Sequence, residues 1–384
     1  MIPYGRHSIS QADIDALSET LRSDWLTQGP SVAQFEEAVA RESNGRYGIA
    51  FNSATSALHV ACLALGVGPQ SVVWVPANSF VATANCARYC GAELNFIDID
   101  PLTGALSTDE LEERLRSCQR QGGRLPDVVI TVHYGGHLTN LPALKQLAAE
   151  FGFKVIEDAS HAMGATPPKQ WRDDDVGDIR VFSFHPVKMI TTAEGGAIVT
   201  NEAELARRAR LFGNHGIERD ADRFVAGNDG PWYYEQQVLG YNYRMSDLQA
   251  ALGVSQLQRL EQFVQRRREI AAKYDRELPA AVTAVMQTRF GASSYHLYPI
   301  LVPQADARSW FDRLKAKGIG TQKHYIPIPA QPYYRELYPQ ALEQCPQAQL
   351  FYQRVMALPI YPDLTEDSQQ YVLDTLNELA NDSN

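Results

Sequence analysis

The sequence lacks the features that mark membrane, secreted and nucleic-acid-binding proteins. No apolar run is long enough to span a bilayer, and residues 1–10 lack the apolar core of a signal peptide. The 384 residues carry 45 acidic and 35 basic side chains, a formal charge of −10, which argues against a general affinity for nucleic acids or anionic membranes. The five cysteines are odd in number and scattered, so we expect reduced thiols in a cytoplasmic protein. Internal repeats and low-complexity tracts are absent.

Strand-like and helical segments alternate along the chain. Short runs rich in branched residues predict strands at 71–75, 94–97, 128–132 and 154–156. Apolar periodicity between these runs predicts helices at 83–89, 108–118 and 141–151. Such alternation is typical of an α/β fold with a mostly parallel sheet that is covered on both faces.

The length of the chain favours two domains. A long helix is predicted from Ser246 through Ile270, and we expect it to link a large domain, residues 1–250, to a smaller one, residues 251–384. The smaller domain would contain a strand at 296–302 and a helix near 307–317. The arginine triplet at 266–268 on the linking helix is most simply a solvated face.

Lys188 lies between the strand-like run 179–184 and a Glu-Gly-Gly turn that leads into a second apolar run at 197–199. A lysine on a short loop at the end of a sheet strand is placed to bond covalently with a cofactor aldehyde. A single lysine is more often a solvated surface residue. The residues elsewhere in the chain that could share a site with Lys188 therefore decide its interpretation.

Asp158 comes at the carboxyl end of the predicted strand at 154–156. An acid at this end of a parallel sheet faces the crevice where α/β proteins bind ligands. It could instead cap the next helix, or bind a metal with His161. Metal binding is the weaker alternative, because His161 has no second histidine at zinc-site spacing and Cys86 and Cys90 do not form a CxxC pair. We therefore predict no metal site.

A third element is the helix start in the segment FNSATSALHVACLALG. A Ser/Thr-rich turn here follows an apolar strand end at 49–51 and precedes an alanine- and leucine-rich helix. Free amide groups, hydroxyls and the positive end of the helix dipole together suit a phosphate. Ser53 and Thr55 are, taken alone, more often plain N-caps.

Five motifs together resemble a known family. They are SATSALH, SFVATANC, EDASHA, SFHPVKMITTAEGG and GYNYRMSDLQAALG. The chain is similar over nearly its whole length to the pyridoxal-phosphate (PLP)-dependent nucleotide-sugar aminotransferases of the DegT/DnrJ/EryC1/StrS type. The resemblance implies aminotransferase fold type I, with a mostly parallel seven-stranded sheet in the large domain and a smaller α+β C-terminal domain. Within the family, SDWLTQGPSVAQFE and HPVKMITTAEGG look most like enzymes of pseudaminic acid synthesis.

The resemblance assigns a role to each cofactor residue. Lys188 would anchor the cofactor aldehyde and then shuttle a proton, while Asp158 would bind the protonated ring nitrogen. The cofactor phosphate would be held by Ala54, Thr55 and Ser183.

Further residues are assigned by their place in the family motifs. Phe80 matches the position whose ring stacks on the cofactor, although core packing is the commoner fate of a phenylalanine. His161 stands where many relatives have glutamine, beside the cofactor's ring hydroxyl. Asn242 would reach the phosphate of a neighbouring subunit, which implies a homodimer with shared active sites. From residue type alone, Asn242 would be a turn residue.

The substrate residues are less clearly marked. His324 and Tyr325 match a segment that lines the sugar site in relatives. Arg6, His7 and Arg219 are candidates for diphosphate contacts, since an anionic nucleotide sugar needs local positive charge on an acidic protein.

The resemblance implies a reaction in two halves. L-glutamate would convert PLP to pyridoxamine 5′-phosphate, which would then aminate C4 of a UDP-2-acetamido-2,6-dideoxy-hexos-4-ulose. Three alternatives stay open: a C3- or C4-aminotransferase of another UDP- or dTDP-sugar, a dehydratase of the same family, and a PLP-binding regulator. Related dehydratases have histidine where this chain has Lys188, and a regulator would need an added DNA-binding module.

Overall fold

The computed structural model describes residues 1–172 and 176–382. Its strands in chain order are β1 (Tyr47–Phe51), β2 (Val72–Pro76), β3 (Glu93–Ile97), β4 (Val128–Val132), β5 (Lys154–Asp158), β6 (Ile179–Ser183), β7 (Gly196–Thr200), β8 (Ile217–Glu218), β9 (Glu235–Gln236), β10 (Thr283–Ala284), β11 (Tyr298–Leu301) and β12 (Val355–Leu358). The helices are α1 (Gln11–Arg22), α2 (Pro30–Glu42), α3 (Ala54–Ala64), α4 (Ala82–Tyr89), α5 (Thr108–Arg120), α6 (Leu141–Phe151), α7 (Ala203–Gly213), α8 (Asp247–Leu257), α9 (Leu260–Glu277), α10 (Ala307–Ala316), α11 (Pro332–Leu337), α12 (Pro346–Arg354) and α13 (Glu366–Asp382). None of these helices is long and apolar enough to cross a bilayer.

Seven strands form the main sheet in the order β1-β7-β6-β5-β4-β2-β3. Neighbouring strands from β3 to β6 are parallel, whereas β7 runs antiparallel to both β6 and β1. The predicted α/β class with a mostly parallel seven-stranded sheet is thereby confirmed. The parallel strands align their carboxyl ends at one edge of the sheet, and this edge carries the residues of interest.

Alternating strand residues bury the sheet on both faces. Val73 and Val75 pack with α3 and α4, while Val72 and Trp74 of the same strand pack with α5 and α6. The strands therefore read as continuous apolar runs, as expected for a doubly covered parallel sheet.

The C-terminal part has its own apolar cluster around the sheet β10-β11-β12. Trp310 and Tyr274 are among its largest buried side chains. Residues between Ile328 and Ala357 pack into the core of the main sheet instead. The division into residues 1–250 and 251–384 stays a prediction.

The single long helix predicted from Ser246 was wrong in one respect. Two helices, α8 and α9, occupy this stretch, and they are separated at Gln258 and Arg259. Both helices carry apolar residues on a buried face, so their periodicity does not reveal the break. Ser246 caps α8 by accepting a hydrogen bond from the Gln249 amide.

The interpretation of the arginine triplet was also wrong for its central member. Arg267 is 1% exposed and donates through Nη1 to the carbonyl oxygens of Tyr295, His296 and Ile360. Burial lowers the pKa of its guanidinium to about 10. Arg267 thus fastens α9 to two segments of the C-terminal part.

Candidate active site

A cavity of about 810 Å³ opens at the carboxyl ends of the parallel strands. Its walls come from the start of α3, the segment before α4, the ends of β5 and β6, the loop before β7 and residues 322–326. This is the edge at which open α/β sheets bind their ligands. The cavity is therefore the candidate active site.

Lys188 lies on the loop between β6 and β7 and lines the cavity. Hydrogen bonds between Phe184 and both Gly195 and Thr192 close the base of this loop. Burial lowers the pKa of the Lys188 ammonium from 10.5 to about 8, and the Asp158 carboxylate opposes this shift. About a tenth of Lys188 is consequently an uncharged amine at pH 7, far more than for a lysine with the ordinary pKa.

Asp158 ends β5 and is 4% exposed. Its Oδ2 accepts a hydrogen bond from Thr83 Oγ1 at 2.8 Å, and its Oδ1 accepts one from Ser160 Oγ at 2.5 Å. Ser79 lies 2.7 Å from Thr83, Oγ to Oγ1. These hydroxyls fix the orientation of the Asp158 carboxyl group at the cavity wall.

The N-terminus of α3 forms the opposite end of the cavity. Ala54 and Thr55 occupy its first turn, and Ser53 caps it by accepting from the Ser56 amide. Gly196 on β7 packs so tightly here that a Cβ atom would lie 2.5 Å from the Ala54 nitrogen. Ser183, at the end of β6, also lines the cavity. Helix dipole, amides and hydroxyls thus converge on one anion-binding corner.

Aromatic rings cover the cavity from the other side. The Phe80 ring is 57% exposed, although it comes directly before α4, and its centroid lies 6.1 Å from that of Tyr325. Tyr325 places its hydroxyl 3.0 Å from His161 Nε2. An exposed ring on a cavity wall is available to stack on a flat ligand.

Three imidazoles stand near Lys188. Burial, the Lys188 charge and His324 lower the pKa of His161. Burial and the Lys188 charge lower the pKa of His324 to about 3. The pKa of His296 is lowered by burial and by His161. All three rings are therefore uncharged at neutral pH.

Four predicted site residues lie outside this cavity. Arg6 and His7 are exposed and border, with Lys188, a narrow crevice beside it. Arg219 is exposed and its guanidinium packs 5.4 Å from the Tyr234 ring centroid. Asn242 is exposed beside Asn214. Within one chain, the structure brings Arg6 and His7 to a crevice shared with Lys188, but it does not bring Arg219 or Asn242 there. The roles of all four residues stay predictions.

Several residues that line the cavity or hold its side chains were missed from the sequence. Thr83 and Ser160 stand within recognisable motifs, so a search for donors to Asp158 could have found them. His296 is 4% exposed, lines the cavity and lies far from every motif used above. No sequence signal pointed to it.

The residues present fit PLP. The corner formed by α3 and Ser183 suits a phosphate, Lys188 suits an aldehyde, Asp158 suits a protonated ring nitrogen, and the exposed Phe80 ring suits a flat ring. Among the described residues, no group of three or more His, Cys, Asp or Glu side chains is arranged to hold a metal ion.

Comparison with known proteins points the same way. Residues 7–377 match the DegT/DnrJ/EryC1/StrS aminotransferase family. A UDP-4-amino-4,6-dideoxy-N-acetyl-beta-L-altrosamine transaminase of Campylobacter jejuni is 36% identical over 98% of this chain and 96% of its own length. Helicobacter pylori PseC, an aminotransferase of pseudaminic acid biosynthesis, is 30% identical with a TM-score of 0.88, and 98% of each chain is covered. A Streptococcus pneumoniae protein solved in PLP and PMP forms is similar at 26–27% identity, with TM-scores of 0.88 and 0.89, over 99–100% of each chain.

Proposed function

Because the chain belongs to the DegT/DnrJ/EryC1/StrS aminotransferase family and is a PLP-dependent sugar aminotransferase, we propose that it aminates C4 of a UDP-2-acetamido-2,6-dideoxy-hexos-4-ulose. L-glutamate is the proposed donor, and pseudaminic acid synthesis the proposed setting. The observation that supports this choice most directly is the 36% identity, over nearly both full lengths, with the Campylobacter altrosamine transaminase. The similarity to PseC supports the same pathway.

The chain's own residues would hold the cofactor at its two ends. Ala54 and Thr55 at the start of α3, with Ser183, would bind the phosphate through amides and hydroxyls. Asp158, held by Thr83 and Ser160, would bind the ring nitrogen through a charge-assisted hydrogen bond. Phe80 and His161 would contact the ring. Bound PLP supplies an aldehyde and an electron-withdrawing ring, which stabilises negative charge at the carbon that loses a proton.

Lys188 would act first as the covalent anchor and then as the acid and base. Its pKa of about 8 lets the side-chain nitrogen accept a proton at neutral pH and return it to a neighbouring carbon. The uncharged His161, His296 and His324 offer no competing positive charge beside it. One lysine thereby serves both halves of the reaction.

Substrate binding is proposed at the mouth of the cavity. His324 and Tyr325 line it and would contact the sugar. Arg6, His7 and Arg219 would contact the diphosphate, and Asn242 would complete the phosphate site of a second subunit in a homodimer. Because Arg219 and Asn242 are exposed and do not line their own cavity, both proposals require the neighbouring chain to come close to it.

The experiment offers UDP-4-keto sugars of both C5 configurations, with glutamate, to the PLP-loaded protein. We expect one of them to yield a 4-amino sugar, identified by mass and NMR. Lys188→Ala should yield no product, whereas Lys154→Ala, at an exposed lysine paired with Asp178, should match the wild type. Turnover of dTDP-linked sugars alone, or amination at C3, would refute the proposed substrate and leave the aminotransferase class intact.

A further inference from the structure

Tyr325 is held rigidly at the cavity wall by contacts on three sides. Its backbone amide donates to Asn78 Oδ1 at 2.9 Å, and the Asn78 amide group in turn donates to the Gly104 carbonyl oxygen. The preceding carbonyl, of His324, accepts from the Tyr134 hydroxyl at 2.6 Å. The Tyr325 hydroxyl itself lies 3.0 Å from His161 Nε2. The position of this hydroxyl is therefore fixed before any ligand binds.

His161 is held in one tautomer by the backbone. The Gly135 amide donates to His161 Nδ1 at 3.2 Å, so Nδ1 must carry a lone pair. Burial and the charge of Lys188 lower the pKa of His161, so the ring is neutral and has a single N–H group. That N–H group is at Nε2 and donates to the Tyr325 oxygen. His296, whose ring centroid lies 4.4 Å away, fixes the plane of the His161 ring.

The direction of the Tyr325 proton follows from this. Its oxygen accepts from His161, so the hydroxyl proton must be directed to a different acceptor. Within residues 1–172 and 176–382, no other protein atom is hydrogen-bonded to this hydroxyl, and the residue lines the cavity. Burial and the Asp158 carboxylate raise the pKa of Tyr325, which keeps the proton in place. The hydroxyl is a donor aimed into the site.

We propose that Tyr325 is a cofactor-binding residue that donates its hydroxyl proton to an oxygen atom of the bound cofactor. The Gly135 amide, acting through His161, sets the direction in which this proton points. Lys188 and Phe80 line the same cavity as Tyr325, and the Phe80 ring centroid lies 6.1 Å from that of Tyr325. A flat ring joined to Lys188 has to lie in this cavity. His161 is a positioning residue for Tyr325. The inference rests on cofactor use and not on the identity of the sugar.

Binding of pyridoxamine 5′-phosphate alone provides the test, because this form cannot bond covalently to Lys188. Tyr325→Phe keeps the ring and removes the donor, and should weaken binding about tenfold. His161→Gln keeps a side-chain N–H donor for the Tyr325 oxygen and should weaken binding less than His161→Glu does. His161→Glu has the same shape as the Gln variant but accepts there, so it should turn the Tyr325 proton away and weaken binding about tenfold.

A double variant separates the effect of the direction of the Tyr325 proton from the effect of the charge that His161→Glu introduces. If His161→Glu acts through the tyrosine proton, it should have little further effect when added to Tyr325→Phe. An equal loss in both backgrounds would mean that the new carboxylate acts on its own, which would refute the proposal. The proposal would also be refuted if Tyr325→Phe bound pyridoxamine 5′-phosphate as tightly as the wild type does. This holds even if the variant reacted more slowly with the sugar. Failure of every keto sugar to react would refute the proposed substrate alone.

Discussion

Lys188 acquires its properties from its surroundings and not from its residue type. Desolvation favours the neutral amine, while Asp158 favours the ammonium, and desolvation outweighs the carboxylate. The resulting pKa of about 8 lies close to the pH at which a proton-transferring group works best. The local sequence around Lys188 gives no measure of either term, because both come from parts of the chain that are distant in sequence.

The rate at which the apo protein captures PLP should rise with pH through a midpoint at about 8 and then level off, because only the neutral amine of Lys188 reacts. Asp158→Asn removes the charge that stabilises the ammonium, so the midpoint should move to lower pH. Visible absorbance after rapid mixing measures both rates. Lys154→Ala serves as the control and should keep the wild-type midpoint. A midpoint near 10, or an upward shift in the Asn variant, would contradict this account of the Lys188 pKa.

At the residue scale, the structure brings together the residues for which chemistry and motif coincided in the sequence, and their roles stay predictions. Lys188, Asp158, Ser183 and Phe80 all line the one cavity. His296 could not be foreseen, because a histidine outside a motif has no distinguishing pattern, and its place depends on how the segment before β11 folds back. Arg267 was misjudged, because charge favours an exposed position and only the three carbonyl oxygens around it explain its burial.

At the scale of elements, apolar runs identified the sheet but not all of its directions. The predicted strands coincide with β2 to β6 to within a few residues, and α6 spans the predicted residues 141–151. Apolar alternation carries no information on strand direction, so the antiparallel pairing of β7 with β1 and β6 was beyond sequence reasoning. The break between α8 and α9 was missed because neither glycine nor proline stands at Gln258 or Arg259.

Adding a methyl group at Gly196, where β7 contacts the start of α3, should lower the stability of the protein. Gly196→Ala would place a Cβ 2.5 Å from both the Ala54 nitrogen and the Ser53 carbonyl carbon, so α3 must shift. We expect a loss of about 1–3 kcal/mol in the free energy of unfolding, measured by urea denaturation of the apo protein. Affinity for PLP should fall as well, because the displaced amides are the proposed ligands of its phosphate.

Gly68→Ala is the matched control for this substitution. No heavy atom lies within 4 Å of the Cβ position at Gly68, so stability should change by less than about 0.5 kcal/mol and PLP affinity should not change. If Gly196→Ala were as stable as Gly68→Ala and bound PLP equally well, the close packing would have no part in forming the anion-binding corner.

For the whole molecule, the location of Asn242 and Arg219 is informative. Both are exposed and away from their own cavity, as the proposed exchange between subunits requires. The net charge of −10 gives no general attraction for a UDP-sugar, so positive charge from a second chain would be useful at the site.

Mixing two inactive variants tests the exchange of Asn242. Lys188→Ala lacks the anchor, and Asn242→Asp places a negative charge against the phosphate. In a mixed dimer, one site would combine an intact Lys188 with an intact Asn242, so co-expressed variants should recover about a quarter of the wild-type activity. Aminotransfer per protomer measures this. No recovery in purified mixed dimers would mean that Asn242 serves its own chain.

The strand order of the main sheet also bears on how the protein folds. The start of α3 follows β1, whereas Lys188 follows β6, and the two meet only because β7 pairs with β1 across nearly 150 residues. Contacts so distant along the chain form slowly, since a long loop must close first. We therefore expect refolding chains to acquire the colour of bound PLP late, after most helical signal has returned, so that cofactor capture marks the completion of the sheet.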